Sequence, residues 1–418
     1  MPVTYNKLFH LMEIHHVNNT NLMKRANISG NIISRLRHNE YVSLETIEHI
    51  CQAFNCQVGD VLEFQFLQDT NFQNISEHTL KIGQIQNRRY LGNKFKLLDF
   101  IKEVVEGHCS EIETVADIFS GTGAVASAFK GKITITNDLL YSNYLCNLAW
   151  FGSENVRLNF LSSLIEEYNQ VKIFEENYMT ENFADTYFSK IDCSKIGFIR
   201  EDIERKFIAG AIIERERAIL IASLIYAMDK IANTCGHYDA WRRGAIFDRR
   251  LILPVLNVPA KNNVNNRCFN EDANELVRHI KADLIYIDPP YNSRQYSDTY
   301  HLLENVARWE QPLVYGVARK PDRKNLKSDY CTLKATATFE DLIKNCRAKY
   351  ILLSYNNMAR KGNERSNARI ADKDIFRILN DKGSVQVFSK DYRAFTTGKS
   401  NIRGNEERLF LCKVGEEK

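Results

Sequence analysis

The sequence lacks several features, and each absence closes off a class of protein. No stretch approaches eighteen consecutive apolar residues, so no membrane-spanning helix is expected. The opening Met1-Pro-Val-Thr-Tyr-Asn-Lys7 has no apolar core of the kind a signal peptide carries. Ten cysteines are scattered without a single CxxC pair. That spacing argues against a zinc site or a disulfide framework and points to reduced thiols in a cytoplasm; no metal is expected. Proline is scarce, seven in 418 residues, and none is followed by cysteine. Attack on cytosine C5 needs a cysteine nucleophile, typically in a Pro-Cys dipeptide, so that chemistry is disfavoured. No internal repeat and no low-complexity tract interrupts the chain.

What is present is ordinary in amount and informative in arrangement. Hydrophobic residues make up 44%, charged residues 26%, and the formal net charge is +4. A chain of this length predicts two or three domains with room for a sizeable core. The charge is weak support for a polyanionic partner. Residues 1–67 read as a small helical unit, with apolar positions at helical spacing in Leu8, Leu11, Met12, then Leu22, Met23, Ala26, then Ile32, Ile33, Leu36, then Leu44, Ile47, Ile50, Phe54. Ser43 is a plausible helix start. Residues 68–87 are polar and read as a linker. From there the pattern turns α/β. Strands are expected at Thr114–Phe119, Ile133–Asn137, Asp283–Asp288, Tyr350–Tyr355, Ser384–Phe388 and Arg408–Lys413, with a helix over Ala124–Phe129. Alternation of strands and helices predicts a mostly parallel sheet covered on both faces. Residues 155–262 are helical in pattern, for example Ile208 to Ile231, and predict a second lobe inserted into the sheet domain of residues 88–154 and 263–418.

The most informative stretch is Asp283-Leu-Ile-Tyr-Ile-Asp-Pro-Pro-Tyr291. It reads as an apolar strand delivering Asp288-Pro289-Pro290-Tyr291 at its carboxyl end. A carboxylate and a backbone carbonyl can both accept hydrogen bonds from an NH2 group, and the aromatic ring can stack on a base. Two prolines fix φ and remove two backbone donors, which holds the acceptors rigidly. Alone, the tetrapeptide is equally a proline turn with a packing tyrosine. A second motif, Asp117-Ile-Phe-Ser-Gly-Thr-Gly123, is a glycine-rich strand-to-helix turn. Gly121 and Gly123 would let the backbone approach a ligand at a position where open α/β sheets bind them. The third glycine of the dinucleotide pattern is missing and no Walker lysine follows. Asp138 ends the second strand, fifteen residues after Gly123. A carboxylate there can hold ribose hydroxyls, or else cap the next helix.

Taken together, residues 88–415 resemble the Dam-like class of adenine-N6 DNA methyltransferases, which use S-adenosylmethionine. Arg89-Tyr-Leu-Gly-Asn-Lys94 looks like the family's N-terminal cofactor motif, which implies that Tyr90 and Lys94 contact the methionine part of the cofactor. Asp117 to Gly123, including Phe119, looks like the main cofactor loop, and Asp138 like its ribose-binding acid. Asn270-Glu-Asp272 resembles the segment whose acid bonds the cofactor's adenine amino group, with Asp272 in that place. Asp288–Tyr291 looks like the catalytic motif. Tyr291-Asn-Ser-Arg-Gln-Tyr296 and Gly236-His-Tyr-Asp-Ala-Trp-Arg242 look most like methylases of the FokI type. The resemblance implies a Rossmann-like methyltransferase sheet with a helical target-recognition insert, acting on double-stranded DNA. Cytosine-N4 methylation stays open as an alternative, although Ser more often precedes Pro-Pro-Tyr there. His237 and His301 are expected to be structural.

Residues 5–66 resemble the Cro/C1-type helix-turn-helix domain. Asn19–Ala26 looks like its first helix, Asn27-Ile28 like the turn and Ser29–Leu36 like the recognition helix. The resemblance places Ser29, Gly30, Asn31, Ser34 and Arg35 toward base edges. Gly30 offers no side chain to read a base. Five Lys/Arg against six Asp/Glu in residues 1–66 give no basic excess for phosphates. A protein-contact role stays open for this module, as does an operator-binding repressor role beside an inactive enzyme fold. Basic clusters are at Trp241–Arg250, with Arg242 and Arg243 as candidate DNA contacts, and at Arg319–Lys327.

Overall fold

The computed structural model describes residues 3–64, 85, 88–356, 368–391 and 406–415. It divides into two compact units, residues 1–80 and 81–418. The expected linker 68–87 lies outside the described residues except for Ile85, which is buried in the core of the larger unit.

In the small unit, apolar periodicity becomes five helices: α1 Asn6–Ile14, α2 Asn19–Arg25, α3 Gly30–Arg37, α4 Leu44–Phe54 and α5 Val58–Val61. A two-stranded antiparallel ribbon, β1 Val3–Thr4 and β2 Glu63–Phe64, ties its ends together. Leu8, Leu22, Leu36 and Ile50 are completely buried in one core, each contributing roughly 1.5–3 kcal/mol. Local chemistry sets the helix ends. The Asn18 side chain accepts from the Asn21 N–H, and Ser43 accepts from the Thr46 N–H, satisfying donors a helix start leaves free. Asn27 turns the chain between α2 and α3 at φ +51°, a left-handed geometry that asparagine tolerates.

The large unit is built on α6 Leu98–His108, β3 Thr114–Asp117, α7 Ala124–Ala128, β4 Ile133–Asn137, α8 Tyr141–Phe151, α9 Leu158–Gln170, α10 Tyr178–Phe183, α11 Lys190–Ile208, α12 Glu214–Ile231, β5 Arg267–Phe269, α13 Ala273–Leu276, β6 Ala282–Ile287, α14 Tyr296–Thr299, α15 His301–Arg308, α16 Ala335–Asn345, β7 Ala348–Asn356, α17 Asp372–Lys382, β8 Gly383–Asp391 and β9 Glu406–Val414. The seven strands lie in the order β5-β4-β3-β6-β7-β9-β8. Five are parallel, and β9 runs antiparallel to both its neighbours. Strand β6 is buried along nearly its whole length, as a parallel strand covered on both faces must be. One face carries α13, α16 and α17, the other α6 and α7.

Two expectations need correction. The helical pattern from Ile208 to Ile231 is two helices: Ile208 ends α11, 83% exposed, and Gly210 at φ +67° breaks the path before α12 begins. Nor does the helical insert form a detached second lobe. Its residues Phe183, Ile199 and Leu224 share one continuous core with Leu145 and Trp150 of α8 and with Leu303 and Val306 of α15. Buried arginines bind it further: Arg215 donates to the carbonyl oxygens of Ala149, Glu154, Pro259 and Ala260. Short β5, with three residues and no strong alternation, is absent from the sequence expectation.

Candidate active site

The carboxyl ends of β3, β4 and β6 open onto a cavity. Register explains the convergence, because Asp117 pairs with both Thr136 and Tyr286. The loops leaving these three strands therefore start side by side, and ligands of open α/β sheets bind at such a crevice. Eleven of the twelve residues expected at the catalytic and cofactor sites line it: Tyr90, Lys94, Asp117, Phe119, Gly121, Asp138, Asp272, Asp288, Pro289, Pro290 and Tyr291. Gly123 is the exception. It sits behind the loop at φ +76°, where a Cβ would fall 2.4 Å from Asn147 Oδ1. Gly121, at φ +50°, faces the cavity, with the Tyr90 ring 3.1 Å from the place a Cβ would take. Glycine is therefore required at both positions, at one for the cavity and at the other for packing.

Asp138 accepts the Gly121 N–H at 2.8 Å and the Leu140 N–H at 2.9 Å, so it fastens the glycine loop to the end of β4. Burial pushes its carboxyl up to about 6. Asp117 accepts from the Ala126 N–H through Oδ2, while its buried Oδ1 has no hydrogen-bond partner among the described residues. Burial, with Asp288 nearby, raises Asp117 to about 8. An orphaned buried acceptor in a cavity wall is costly unless a ligand donates to it. Asp272 caps α13 by accepting from the Asn274 N–H and also faces the cavity. Phe119 meets Tyr330 edge-on at 5.2 Å, which gives this end of the cavity an apolar wall.

At the other end, Lys94 is almost fully buried, and its ammonium lies 2.9 Å from Asp288 Oδ2, 3.3 Å from Glu407 Oε1 and 3.3 Å from the Gly92 carbonyl oxygen. A lysine has three N–H donors, and these three acceptors use them. The resemblance assigns Lys94 to the cofactor's methionine part; here it lines the cavity and pairs with Asp288 and Glu407. Burial raises Asp288 to about 6, with Lys94 opposing and Glu407 reinforcing that shift. Tyr90, which also lines the cavity, stacks on Tyr300 at 4.6 Å and lies 5.4 Å from Tyr296. Tyr291 meets Tyr355 edge-on at 6.4 Å, and its carbonyl accepts from the Arg369 N–H at 2.8 Å. Sequence reasoning missed Glu407, Tyr330 and the aromatic pair Tyr296 and Tyr300. The two tyrosines four apart are visible as a helical repeat; Glu407 gives no signal.

His301 is buried, with Nε2 2.9 Å from the Tyr238 carbonyl, and burial lowers it to about 4. Arg242 and Arg243 are exposed, and Arg242 Nε reaches Cys235 Sγ at 3.3 Å. In the small unit, Ser29 is the N-cap of α3, not a residue of the helix as the sequence reading has it, and Ser29, Asn31 and Ser34 are exposed. Arg35 is half-buried; it pairs with Glu40 at 3.4 Å and donates to the Tyr41 carbonyl, which turns it toward its own loop.

Comparison with known proteins agrees with this geometry. Residues 90–366 match the family model of D12 class N6 adenine-specific DNA methyltransferases, and residues 7–66 match that of the Cro/C1-type helix-turn-helix DNA-binding domain. The chain is 36% identical over 342 residues to modification methylase StsI of Streptococcus sanguinis, covering 76% of this chain and 50% of that one. It is 32% identical to modification methylase LlaI of Lactococcus lactis subsp. lactis, covering 77% and 53%. It is 28% identical to type II methyltransferase M.NlaIII of Neisseria lactamica, covering 76% and 95%. The chain thus spans about half the length of the first two relatives. Among the described residues, no helix is long and apolar enough to cross a membrane.

Proposed function

We infer the activity from family membership: the chain belongs to the D12 class of N6 adenine-specific DNA methyltransferases. Its cavity transfers a methyl group to the N6 amine of adenine in double-stranded DNA, with S-adenosylmethionine as donor. The observation that carries this reading is that Asp288–Tyr291 and the Asp117–Gly121 loop line one cavity. When bound, S-adenosylmethionine supplies an electrophilic sulfonium methyl. Asp138 suits its ribose hydroxyls, Asp272 its adenine amine, and the orphaned Asp117 Oδ1 its ammonium.

The adenine N6 lone pair is delocalised into the ring and is a poor nucleophile. Asp288 and the Pro289 carbonyl accept the two amino hydrogens, which turns the nitrogen toward tetrahedral geometry and frees its lone pair. Lys94 occupies Oδ2 of Asp288, so the other carboxylate oxygen serves the amine. Tyr291 stacks on the base, which has to leave the duplex to reach the cavity. No covalent intermediate is required; rigid placement of the acceptors supplies most of the acceleration. Arg242 and Arg243 contact the DNA backbone or guanine edges.

The small unit extends this reading. Ser29, at the N-cap of α3, and Asn31 and Ser34 within it are exposed and able to meet base edges. The unit binds an operator and represses a gene of a restriction-modification system. The enzymatic reading is tested by incubating the protein with S-adenosylmethionine and varied DNA, then digesting and analysing nucleosides. N6-methyladenine is expected, lost in Asp288→Ala. N4-methylcytosine would change the substrate, and no methylated base would leave only the DNA-binding role.

A further inference from the structure

Lys94 lies between two carboxylates, and only one of them belongs to the catalytic motif. Asp288 alone would neutralise the ammonium. The second acid, Glu407, leaves a buried group of two carboxylates and one ammonium with a net negative charge. Such a charge is expensive to bury, so the second acid needs a reason. Glu407 is itself well buried, and its Oε1 accepts from the Ser354 hydroxyl at 2.8 Å as well as from Lys94 at 3.3 Å. Ser354 sits in β7 and Glu407 in the adjacent β9, where Glu407 pairs with Asn356. The carboxylate is thus pinned by two strands. Lys94, by contrast, stands on a turn at the entrance to α6 and carries a flexible four-carbon stem. Without Glu407, only the Gly92 carbonyl would oppose a shift of the ammonium across both oxygens of Asp288.

We propose that Glu407 is a positioning residue that holds the Lys94 ammonium on one oxygen of Asp288, keeping the other oxygen available to the substrate amine and setting the charge at which Asp288 works. This rests on the methyltransferase reading above. Glu407 lies beyond residue 366, where the family match ends, so the role comes from the fold of the β7–β9 pair and not from a motif. The charged and titratable groups around Asp288 are Lys94, Glu407, Asp117, Tyr286 and Tyr296. Of these, Lys94 draws the Asp288 carboxyl down, while Glu407 pushes it up.

Two substitutions separate charge from anchoring. Glu407→Gln keeps an oxygen for Lys94 and Ser354 but removes a negative charge. Glu407→Ala removes both. With the full chain, the Asp288 carboxyl is followed by carbon-13 NMR of labelled aspartates, identified by its loss in Asp288→Asn, and kcat is followed against pH. In Glu407→Gln the Asp288 midpoint and the acid limb of kcat are expected to move together to lower pH by about 0.5 or more. In Glu407→Ala, kcat is expected to fall about tenfold while the Kd for S-adenosylmethionine changes less than about twofold. An Asp288 midpoint unmoved in Glu407→Gln overturns the proposal, as does a Glu407→Ala enzyme whose kcat matches the wild type. If the wild type makes no N6-methyladenine, the methyltransferase reading fails by itself, and the NMR midpoint still reports whether Glu407 governs Asp288.

Discussion

The two units solve the problem of holding functional side chains in opposite ways. In the small unit the candidate DNA-facing residues lie within one turn and one helix, Ser29 to Arg35, over a core built from a short stretch of chain. In the large unit the cavity gathers residues from positions 90 to 330, delivered by several strands and loops. The small unit keeps Ser29, Asn31 and Ser34 at the surface. The large one buries Asp117, Asp138 and Asp288 around the cavity, all raised by burial. A reading surface thus needs only local geometry, whereas amine activation needs acceptors that water cannot screen and a whole sheet to fix them.

The largest effect is expected at Asp288. Asp288→Ala should lower methyl transfer by about a hundredfold to a thousandfold, measured as N6-methyladenine formed, with binding of the methyl donor retained. Loss of donor binding in the same proportion would mean that the residue serves the fold and not the reaction. Next in size is the small unit. Replacing Asn31 and Ser34 with alanine in the full chain is expected to weaken operator binding by about 1–3 kcal/mol for each base edge no longer read, followed by gel shift. Arg35→Ala should do less, since Arg35 already pairs with Glu40. An Arg35 effect larger than that of Asn31 would show that the pair opens on binding. Arg242→Ala with Arg243→Ala should reduce DNA affinity and flatten its salt dependence by about one logarithmic unit of slope per phosphate neutralised.

The smallest expected effect is on stability. The folded-state pKa values of Asp117, Asp138 and Asp288 lie above their ordinary value, so the folded state holds these protons more tightly than the unfolded chain. Stability therefore rises as pH falls through about 8 and about 6 toward the ordinary carboxylate range, and is lost as pH rises through the same window. Asp117→Asn removes one such charge and is expected to raise Tm at pH 8.5 by about 2–4 °C, seen by scanning calorimetry. The same change should weaken donor binding. A lower Tm would show that the Asp117 charge is already compensated.

Much of this arrangement is legible in the sequence because it rests on short-range chemistry. The strand ending in Asp288-Pro-Pro-Tyr, the glycine turn and the α2–α3 pair all announce themselves by residue type and spacing. What stays hidden depends on pairing across the chain. Glu407 reads as one more charged residue at the start of a strand, and only the register of β9 beside β7 brings it to Lys94. The two carboxylate partners of Lys94 are likewise visible only in the fold. The shared core of the helical insert is hidden for the same reason, because Trp150 and Val306 are apolar in any context.

The position of β9 has a consequence in time. It lies between β7 and β8, yet it is the last strand of the sheet to be synthesised. A ribosome adding about 5–20 residues per second needs tens of seconds to travel from residue 64 to residue 406. Throughout that interval the small unit can already fold on its contiguous segment, while the sheet remains split and Lys94 lacks its second anchor. On the proposed function, each growing chain passes through a period in which the DNA-facing helix is in place before the methyl-transfer cavity is complete.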